Sequence, residues 1–380
     1  MSSVEEFRAE IRAWLADHLV GEFAELRGRG GPGREHEAFE GRLAWERHMA
    51  AHGWTCVGWP VEHGGRGASL DEQIAFHEEY ALADAPARVN HIGEQLLGPT
   101  LIAFGTEEQK QRFLPPIVAV EELWCQGYSE PDAGSDLANV RTRGALSPDG
   151  SQWVVDGQKI WTSLAHEAQW CFVVARTEPG SRRHAGLSYL LVPLDRSGVE
   201  VRPIVQLTGT SEFNEVFFDG ARTDASHVVG EPGDGWRIAM ATLGFERGVS
   251  TLGQQVGFRR EWDALAELAR KNGAIADPLI RDRLVRAWID LEAMAASARR
   301  GVDPSVGKLH WAAWHRGLGE LAMDVCGAAS TIAAGEPYEL DDWQRLFLFS
   351  RADTIYAGSD EIQKNIVAER LLGLPKEARV

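Results

Sequence analysis

The sequence predicts a multi-domain α+β protein with an N-terminal helical domain, a central antiparallel β barrel or sandwich, and a C-terminal helical bundle. Apolar residues repeat at helical spacing near both ends of the chain, whereas short apolar runs lie between turn signals in the middle. The length of 380 residues is enough for two or three domains. We place the domains at residues 1–120, 121–228 and 229–380.

Both helical zones are predicted from apolar residues at helical spacing. The first begins with Ser3 and Glu6, which form a capping box for the first amide groups of a helix. The apolar positions are Phe7, Ile11, Trp14, Leu15 and Leu19 in the first zone, and Leu284, Trp288, Leu291 and Ala295 in the last. Segments rich in Gly and Pro at 28–33, 58–67 and 301–304 predict breaks between helices.

The central zone consists of short apolar runs separated by turn signals. Asp156-Gly157 lies between the runs 153–155 and 159–161, which predicts a hairpin turn at this dipeptide. Further strands are predicted at 171–174, 187–192 and 216–218, and further turns at 148–150 and 219–220. Many short strands with such turns favour an antiparallel barrel or sandwich.

Composition and charge argue against several classes of function. The net charge of −17 and the isoelectric point of about 5.2 disfavour nucleic acid and anionic membranes as partners. The longest apolar runs, such as 190–192, are too short to span a bilayer. The N-terminal residues 1–7 are acidic and lack the basic region of a signal peptide.

Cysteine usage is typical of a reducing compartment. The four cysteines are widely spaced and form no C-x-x-C pair, so we expect reduced and mostly buried thiols. They are Cys56, Cys125, Cys171 and Cys326. We therefore expect a cytoplasmic protein without a metal centre.

The most specific motif of the middle zone is WCQGYSEPDAGSD at residues 124–136. It resembles the flavin signature T-E-P-G-A-G-S-D of acyl-CoA dehydrogenases. The resemblance implies that Tyr128 belongs to the cofactor site, that Ser129 lies near the flavin pyrimidine ring and that Ser135 lies near the pyrophosphate. Gly134 would let the backbone approach a bulky ligand. Asp132 stands where the family usually has Gly, so the local turn geometry is a point for the structure to decide.

A second segment, GQKIWTS at 157–163, resembles the family motif G-x-K-x-W-I-T-N. By that match Trp161 covers one face of the flavin and Ser163 hydrogen-bonds near N5. A tryptophan on a strand is often plain core, but the hydroxyl two residues later stands at the family position.

The resemblance implies further contacts to FAD from the C-terminal zone. Arg270 matches the arginine that reaches the pyrophosphate. Asp324 and Gly327 stand where the family commonly reads Q-x-x-G-G and contributes to the FAD site of a neighbouring subunit. Ser359 and Glu361 match the end of the adenosine-side motif. Asp324 cannot donate a hydrogen bond as Gln does, and its charge is unfavourable beside a diphosphate.

The two motifs that carry acid–base chemistry differ in what they retain. TIYAGSDEIQ at 354–363 resembles I-Y-E-G-T-x-x-I-Q, in which the Glu is the catalytic base, but the position here is Ala357. LGFER at 243–247 resembles L-x-x-E-R, the start of the helix on which the isovaleryl and long-chain types carry their base. The resemblance therefore implies Glu246 as the base, with Arg247 orienting polar groups and the Ala357 backbone N–H contacting the substrate carbonyl.

The resemblance covers nearly the whole chain and implies an FAD-dependent acyl-CoA dehydrogenase of fatty acid or steroid side-chain metabolism. The closing segment 368–375 resembles actinobacterial members. The expected partners are an acyl-CoA substrate, an electron-transfer flavoprotein as acceptor, and copies of the chain in a homotetramer or homodimer, with a heterotetramer left open. Gly244, Gly248 and Gly253 indicate a pocket for a bulky or branched acyl group.

Two alternatives remain from other classes. One is a non-catalytic or half-site subunit of a heteromeric acyl-CoA dehydrogenase, which the alanine at 357 and the aspartate at 324 would fit. The other is an acyl-CoA oxidase-like flavoenzyme that uses oxygen.

Overall fold

The computed structural model describes the backbone of residues 3–246, 250–333 and 339–376; the side chains of Glu246, residues 250–253 and Arg299 lie outside the described residues. The chain divides into two compact units, Met1–Gly248 and Val249–Val380. The first unit contains the N-terminal helices, the sheet and one further helix, and the second is helical. The predicted α+β class with helical ends and a central sheet is confirmed.

The first N-terminal helix begins where the sequence predicts. The capping box of Ser3 and Glu6 is formed, because the Ser3 side chain accepts from the Glu6 amide and the Glu6 carboxylate accepts from the Ser3 amide. The helices are α1 (Val4–His18), α2 (Phe39–Ala51), α3 (Leu70–Leu82), α4 (Gly98–Phe104) and α5 (Glu107–Val118). Phe7, Ile11 and Leu15 of α1 are buried, as their spacing predicts.

Eight strands form one sheet in the order β6-β7-β3-β2-β4-β5-β8, with β1 paired to β4. The strands are β1 (Trp124–Gly127), β2 (Arg143–Leu146), β3 (Gln152–Ser163), β4 (Trp170–Arg176), β5 (Leu187–Pro193), β6 (Val199–Ile204), β7 (Phe213–Asp224) and β8 (Val228–Val229). The pairs are antiparallel except that β1 and β2 lie parallel to β4. The turn predicted at 148–150 connects β2 to β3 and is closed by a bond from the Gly150 amide to the Ser147 carbonyl.

The hairpin predicted at Asp156-Gly157 is wrong. Strand β3 runs straight through this dipeptide, and β7 runs through the predicted turn at Asp219-Gly220. Asp156 instead faces both Asp219 and Gly220 across a β-bulge, and its carboxylate accepts from the Gly220 amide at 2.7 Å. Gly157 is required because its φ is +148° and a Cβ there would lie 2.5 Å from the Thr142 hydroxyl.

Helix α6 (Gly235–Glu246) packs on the apolar core that joins the N-terminal helices to the sheet. Ile238 and Ala239 are fully buried in that core. The Thr242 hydroxyl, also fully buried, lies 2.8 Å from the Thr100 hydroxyl of α4. These contacts fix the helix that ends at Glu246.

The second unit is built from long helices. They are α7 (Ser250–Lys271), α8 (Pro278–Arg299), α9 (Pro304–Cys326), α10 (Asp342–Phe349) and α11 (Asp360–Ile366). The predicted break at 301–304 separates α8 from α9, which begins at Pro304 with Asp303 as its N-cap. Leu284 and Leu291 of α8 are buried in the core of this unit, whereas Trp288 is 40% exposed.

The described part of the chain contains no helix both long and apolar enough to cross a membrane. The four cysteines are free thiols, and Cys56, Cys125 and Cys171 are buried.

Candidate functional site

A buried lysine joins the two segments that resemble flavin motifs. The Lys159 amine, on β3, donates to the Tyr128 carbonyl at 3.0 Å, the Glu130 carboxylate at 2.8 Å and the Val174 carbonyl at 2.8 Å. The Ile160 amide adds a bond to the Ser129 carbonyl at 2.9 Å. The segment around Ser129 is therefore fastened along the strand that carries the second motif.

The hydrogen bonds that Lys159 and Ile160 donate form a joint between the two motif segments, and the Glu130 carboxylate is its central acceptor. Besides Lys159, its carboxylate accepts from the backbone amides of Arg141 at 2.6 Å and Thr142 at 2.8 Å. Burial opposes its charge, but the charge and hydrogen bonds of Lys159 and the amides outweigh burial and hold the pKa of Glu130 below its ordinary value. Burial in turn lowers the pKa of the Lys159 amine. All charges and donors of the joint are thus satisfied within the fold.

Trp161 is presented outward by a second β-bulge. Ile160 and Trp161 together face the single residue Glu215 of β7, and Trp161 takes a left-handed backbone conformation with φ of 59°. Its indole is 56% exposed and meets the Phe213 ring edge-on, with 6.2 Å between ring centroids. A large aromatic face held open in this way fits the expectation that Trp161 covers a planar ligand.

The turn at 130–133 accommodates Asp132 in place of the usual Gly. Glu130 and Ala133 exchange two backbone hydrogen bonds at 3.1 and 3.0 Å, and Asp132 keeps a negative φ, so an L-residue fits without strain. Gly134 follows in the open, because a Cβ built there meets no described atom within 4 Å. The surface beside the first motif therefore has room for a ligand.

The hydroxyls at the predicted flavin positions are available to a ligand. Among the described residues, none hydrogen-bonds the hydroxyl of Ser129, Ser135 or Ser163. Ser129 and Ser163 are half-buried, and Ser135 is exposed. A flavin carries several acceptors and one N–H that need such partners when it is bound. Together with the outward indole, these residues fit a flavin.

In the second unit, the ends of α7 and α9 lie side by side. The Asn272 amide nitrogen donates to the Val325 carbonyl at 2.8 Å, which brings the segment after Arg270 to the segment 324–327. Arg270 is exposed and lies 3.6 Å from Glu267. Gly327 caps α9 with a φ of 59°. The structure thus brings together two of the segments that the resemblance assigns to the cofactor.

The Asp324 carboxylate does not stand as an isolated negative charge. It forms a salt bridge with the Arg283 guanidinium of α8, on a surface where both side chains are about half exposed. The pair is neutral overall, so the unfavourable effect expected of Asp324 beside a diphosphate is reduced. Sequence reasoning missed Arg283, which lies 41 residues away on another helix.

The loop that carries Ala357 is held by its backbone. Ala357 has a left-handed φ of 51°, and its carbonyl accepts from the side-chain amide of Gln363 at 3.1 Å. Gln363 is fully buried and also reaches the Gly358 carbonyl at 3.4 Å. Among the described residues, no acceptor bonds the Ala357 N–H, which is the group the resemblance assigns to the substrate carbonyl.

A buried histidine is hydrogen-bonded to the segment that leads into the same loop. His315 of α9 bridges the Asp353 carboxylate at 2.6 Å and the Glu261 carboxylate at 3.0 Å. Asp353 also accepts from the Tyr356 hydroxyl at 2.6 Å, and its carbonyl accepts from Lys308. Burial disfavours the imidazolium, yet the hydrogen bonds and charges of the two carboxylates outweigh it and raise the pKa of His315 to about 10. His315 is therefore a cation at neutral pH.

The adenosine-side residues form the start of α11. Ser359 is its N-cap, since its hydroxyl accepts from the Ile362 amide at 3.4 Å. Glu361 is in the first turn, where hydrogen bonds from its own amide and from Ser359 lower the pKa of its carboxyl.

The predicted base falls partly outside the described residues. The backbone of Glu246 is the last residue of α6, so it does not stand at the start of a helix as the motif comparison implies; α7 begins at Ser250. The Glu246 side chain, Arg247 and Gly248 lie outside the described residues. Gly253 is described as part of the α7 backbone, but its burial is not described. Gly244, which is described, faces open space, since a Cβ there meets no described atom within 4 Å.

Comparison with known proteins identifies the family. Sequence models of the N-terminal, middle and C-terminal domains of acyl-CoA dehydrogenases match residues 2–121, 125–221 and 233–372. Acyl-CoA dehydrogenase IpdE1 of Mycolicibacterium smegmatis is 66% identical over the whole of both chains. The chain belongs to the acyl-CoA dehydrogenase family. This acyl-CoA dehydrogenase is also 66% identical to IpdE1 of Mycobacterium tuberculosis, again over the whole of both chains.

Solved structures of acyl-CoA dehydrogenases share the fold. The structure named Tcur3481-Tcur3483 steroid ACAD is 30% identical with a TM-score of 0.83, and the match covers 98% of each chain. The ChsE4-ChsE5 complex of Mycobacterium tuberculosis is 28% identical with a TM-score of 0.81, covering 99% of each chain. Both names join two chains.

Sequence reasoning missed the groups that position this acyl-CoA dehydrogenase's motifs. Lys159 and Glu130 lie inside the quoted motifs, yet neither was assigned a role. A lysine next to Ile160 and Trp161 in a predicted strand was a usable signal, because a buried ammonium is too costly to occur without a partner. His315 and Asp353 gave no comparable signal, since 38 residues separate them.

Proposed function

We propose that this chain catalyses the FAD-dependent α,β-dehydrogenation of an acyl-CoA thioester to the trans-2-enoyl-CoA. The joint made by Lys159 carries this proposal, because it fastens the segment around Ser129 to the strand that turns Trp161 outward. When bound, FAD supplies a hydride acceptor for the β-carbon of the substrate. The chain's own residues then have to bind, orient and deprotonate.

Residues of the first unit would hold the flavin ring system. Trp161 offers its exposed face, and the hydroxyls of Ser129 and Ser163 offer hydrogen bonds to the ring heteroatoms. Tyr128 places its carbonyl on Lys159 and so sets the course of this segment. Ser135 and the open backbone at Gly134 would approach the pyrophosphate; the last two assignments also rest on the motif resemblance.

Residues of the second unit would hold the diphosphate and adenosine parts of FAD. Arg270 is exposed and free to turn toward a phosphate, since its present pairing with Glu267 is a 3.6 Å surface contact. Asp324, neutralised by Arg283, would contribute with the backbone at Gly327. Ser359 and Glu361 would contribute through the N-terminal end of α11.

Glu246 is the proposed general base, and Arg247 orients the polar groups around it. The α-proton of a thioester is weakly acidic, so charge that develops on the carbonyl oxygen must be stabilised as the proton leaves. The Ala357 N–H fits this task, because the described structure gives it no other acceptor and two buried networks fix its loop. Alanine at 357 thus removes a carboxylate but keeps the backbone donor.

The proposed substrate is a bulky, ring-bearing acyl-CoA. The relative named a steroid ACAD is 30% identical over 98% of the chain, and a Cβ at Gly244, on the last turn of α6, would meet no described atom within 4 Å. We propose an electron-transfer flavoprotein as the acceptor and a cytoplasmic location.

A second candidate is a half-site subunit that acts together with a homologous chain. The names Tcur3481-Tcur3483 and ChsE4-ChsE5, each of which joins two chains, favour this form over the homotetramer. Asp324 in place of the family's Gln also favours the heteromeric form, because that position contributes to a neighbouring subunit's site in the family.

Anaerobic titration of the purified chain with acyl-CoAs tests the proposal. We expect a yellow protein whose flavin absorbance is bleached by ring-bearing thioesters and less by straight C4–C8 ones. A colourless chain that takes up no FAD, alone or with a co-purified homologue, would overturn it. Turnover with an artificial acceptor distinguishes an active chain from a non-catalytic subunit, and oxygen uptake without acceptor would indicate an oxidase.

A further inference from the structure

Three histidines converge where two N-terminal helices end. His18 is the last residue of α1, His48 is in the last turn of α2, and His52 caps α2. One ring nitrogen from each lies within 4.8 Å of the other two. His48 and His52 are four residues apart on one helix face, which is a common spacing for two ligands of one metal ion.

The ring nitrogens are close enough to one another and to the backbone to form hydrogen bonds. His18 Nδ1 and His48 Nε2 face each other at 2.8 Å, so one of them donates a proton and the other accepts it. His52 Nδ1 lies 2.8 Å from the His48 carbonyl and donates its proton there. That bond leaves His52 Nε2 as a lone-pair donor and orients the ring, as in many metal-bound histidines.

The position of the cluster at two helix ends favours a bound cation. The C-terminal ends of α1 and α2 carry partial negative charge from their carbonyls, which stabilises a cation. A neutral imidazole is the form that binds a metal.

We propose that His18, His48 and His52 bind one divalent transition-metal ion of the zinc class and thereby tie the end of α1 to the end of α2. Imidazole suits Zn²⁺, Cu²⁺ and Ni²⁺. With Zn–N bonds of about 2.0–2.1 Å, tetrahedral ligands stand about 3.4 Å apart. The close His18–His48 pair therefore opens by about 0.6 Å and His52 turns inward. Water completes the site on the exposed side of His52.

The same rings also pack in an aromatic cluster, which is the competing explanation for their proximity. Trp14 stacks on His18 with 4.6 Å between centroids and lies 5.9 and 5.7 Å from His48 and His52. Packing alone would need neither the convergence of three ring nitrogens nor the bond that orients His52. Metal binding separates the two explanations, because packing predicts none.

Calorimetric titration of the full-length protein with Zn²⁺ tests the site. The protein carries no polyhistidine tag and is first treated with a chelator. We expect one Zn²⁺ per chain and a rise of about 5 °C in the melting temperature of Met1–Gly248 when free Zn²⁺ is 100 times the dissociation constant. Ni²⁺ should compete for the same site.

Variants assign the binding to these residues. His52→Gln changes the most exposed ligand and should weaken Zn²⁺ binding by at least about 10–100-fold without disturbing the core. His48→Gln should do the same. His36→Gln removes an exposed histidine elsewhere in the first unit and should change nothing. The proposal fails if no stoichiometric Zn²⁺ binds, or if wild type and His52→Gln bind it equally. Flavin content and acyl-CoA turnover, measured on the same samples, report separately on the proposed dehydrogenase function.

Discussion

Lys159→Met should destabilise the first unit and loosen its hold on FAD. The substitution keeps the length of the side chain but removes the ammonium that binds the Tyr128 carbonyl, the Glu130 carboxylate and the Val174 carbonyl. Lys159 is fully buried and Glu130 is 7% exposed. The variant therefore leaves a buried carboxylate without its cation and removes one hydrogen-bond donor from each of two carbonyls.

Removal of one partner from a buried ion pair costs about 3–5 kcal/mol. The lower part of that range applies, because Glu130 keeps the amides of Arg141 and Thr142 as donors. We expect about 3–4 kcal/mol. The entropy of unfolding is about 2.1 cal/mol/K for each residue of Met1–Gly248, or about 0.5 kcal/mol/K for the unit. The melting temperature should therefore fall by about 6–8 °C, and FAD should bind more weakly, because Ser129 adjoins the joint.

Urea unfolding and FAD titration measure the two effects. Glu130→Gln combined with Lys159→Met removes both charges, so the double variant should regain part of the lost stability; with Glu130→Gln alone, the set gives a coupling energy for the pair. Lys110→Met is the matched control, since its partner Glu107 is 73% exposed, and it should cost less than about 1 kcal/mol. If Lys159→Met unfolds at the wild-type urea concentration with the same slope, the joint does not hold the motifs.

Three further predictions concern the base, the buried histidine and the half-exposed pair. Glu246→Gln should still bind FAD and acyl-CoA but lose about 10²–10⁴ in the rate of flavin reduction by stopped flow, and Ala357→Glu added to it should restore part of that rate. Because the pKa of His315 is raised from 6.5 to about 10, its stabilising effect is complete below pH 6.5 and is lost as pH rises through about 10, so thermal stability should fall across this window in wild type and less in His315→Gln. Arg283→Gln should weaken FAD binding by up to about fivefold in equilibrium dialysis, since it leaves the charge of Asp324 uncompensated.

Each of these predictions has its own control. Wild-type flavin reduction in Glu246→Gln would mean that another residue is the base. Parallel pH–stability curves for wild type and His315→Gln would show that the histidine is not the titrating group, and His310→Gln on the same helix serves for comparison. For the half-exposed pair, Arg283→Gln with Asp324→Gln should bind FAD better than Arg283→Gln alone; equal affinity would place the pair away from the cofactor.

The elements that the sequence predicts correctly depend on neighbours along the chain. The capping box of Ser3 and Glu6 spans three residues, and the break at 301–304 lies within one loop. The Asp-Gly dipeptide at 156–157 gave a wrong hairpin prediction because it, too, is a signal from neighbouring residues alone. A local Asp-Gly signal is shared by hairpin turns and bulges, and the choice is made by Gly220 of β7, 64 residues away.

The site residues also divide into those found from a local motif and those that depend on contacts between distant parts of the chain. Trp161 and Ser163 are found from a motif, and their exposure then follows from a bulge in β3. The pairing of Lys159 with Glu130 across 29 residues, and of His315 with Asp353 across 38, depends on strand register and helix packing. No spacing in the sequence encodes those contacts. The motif residues can therefore be predicted, but the residues that hold them in place require the fold.

The backbone of Ala357, rather than its side chain, is what the second unit holds in place. A left-handed alanine costs about 1–2 kcal/mol relative to glycine in the same conformation, while glycine costs about 0.4–1 kcal/mol through the unfolded chain. Ala357→Gly should thus raise stability by between zero and about 1.6 kcal/mol and leave flavin reduction near the wild-type rate, because the N–H donor remains. Gln363→Leu removes the amide that holds the Ala357 and Gly358 carbonyls. It should lower the rate of flavin reduction at saturating acyl-CoA while FAD stays bound, as expected if the loop positions a donor for the substrate carbonyl. Equal rates for Gln363→Leu and wild type would remove the Ala357 N–H from the proposed chemistry.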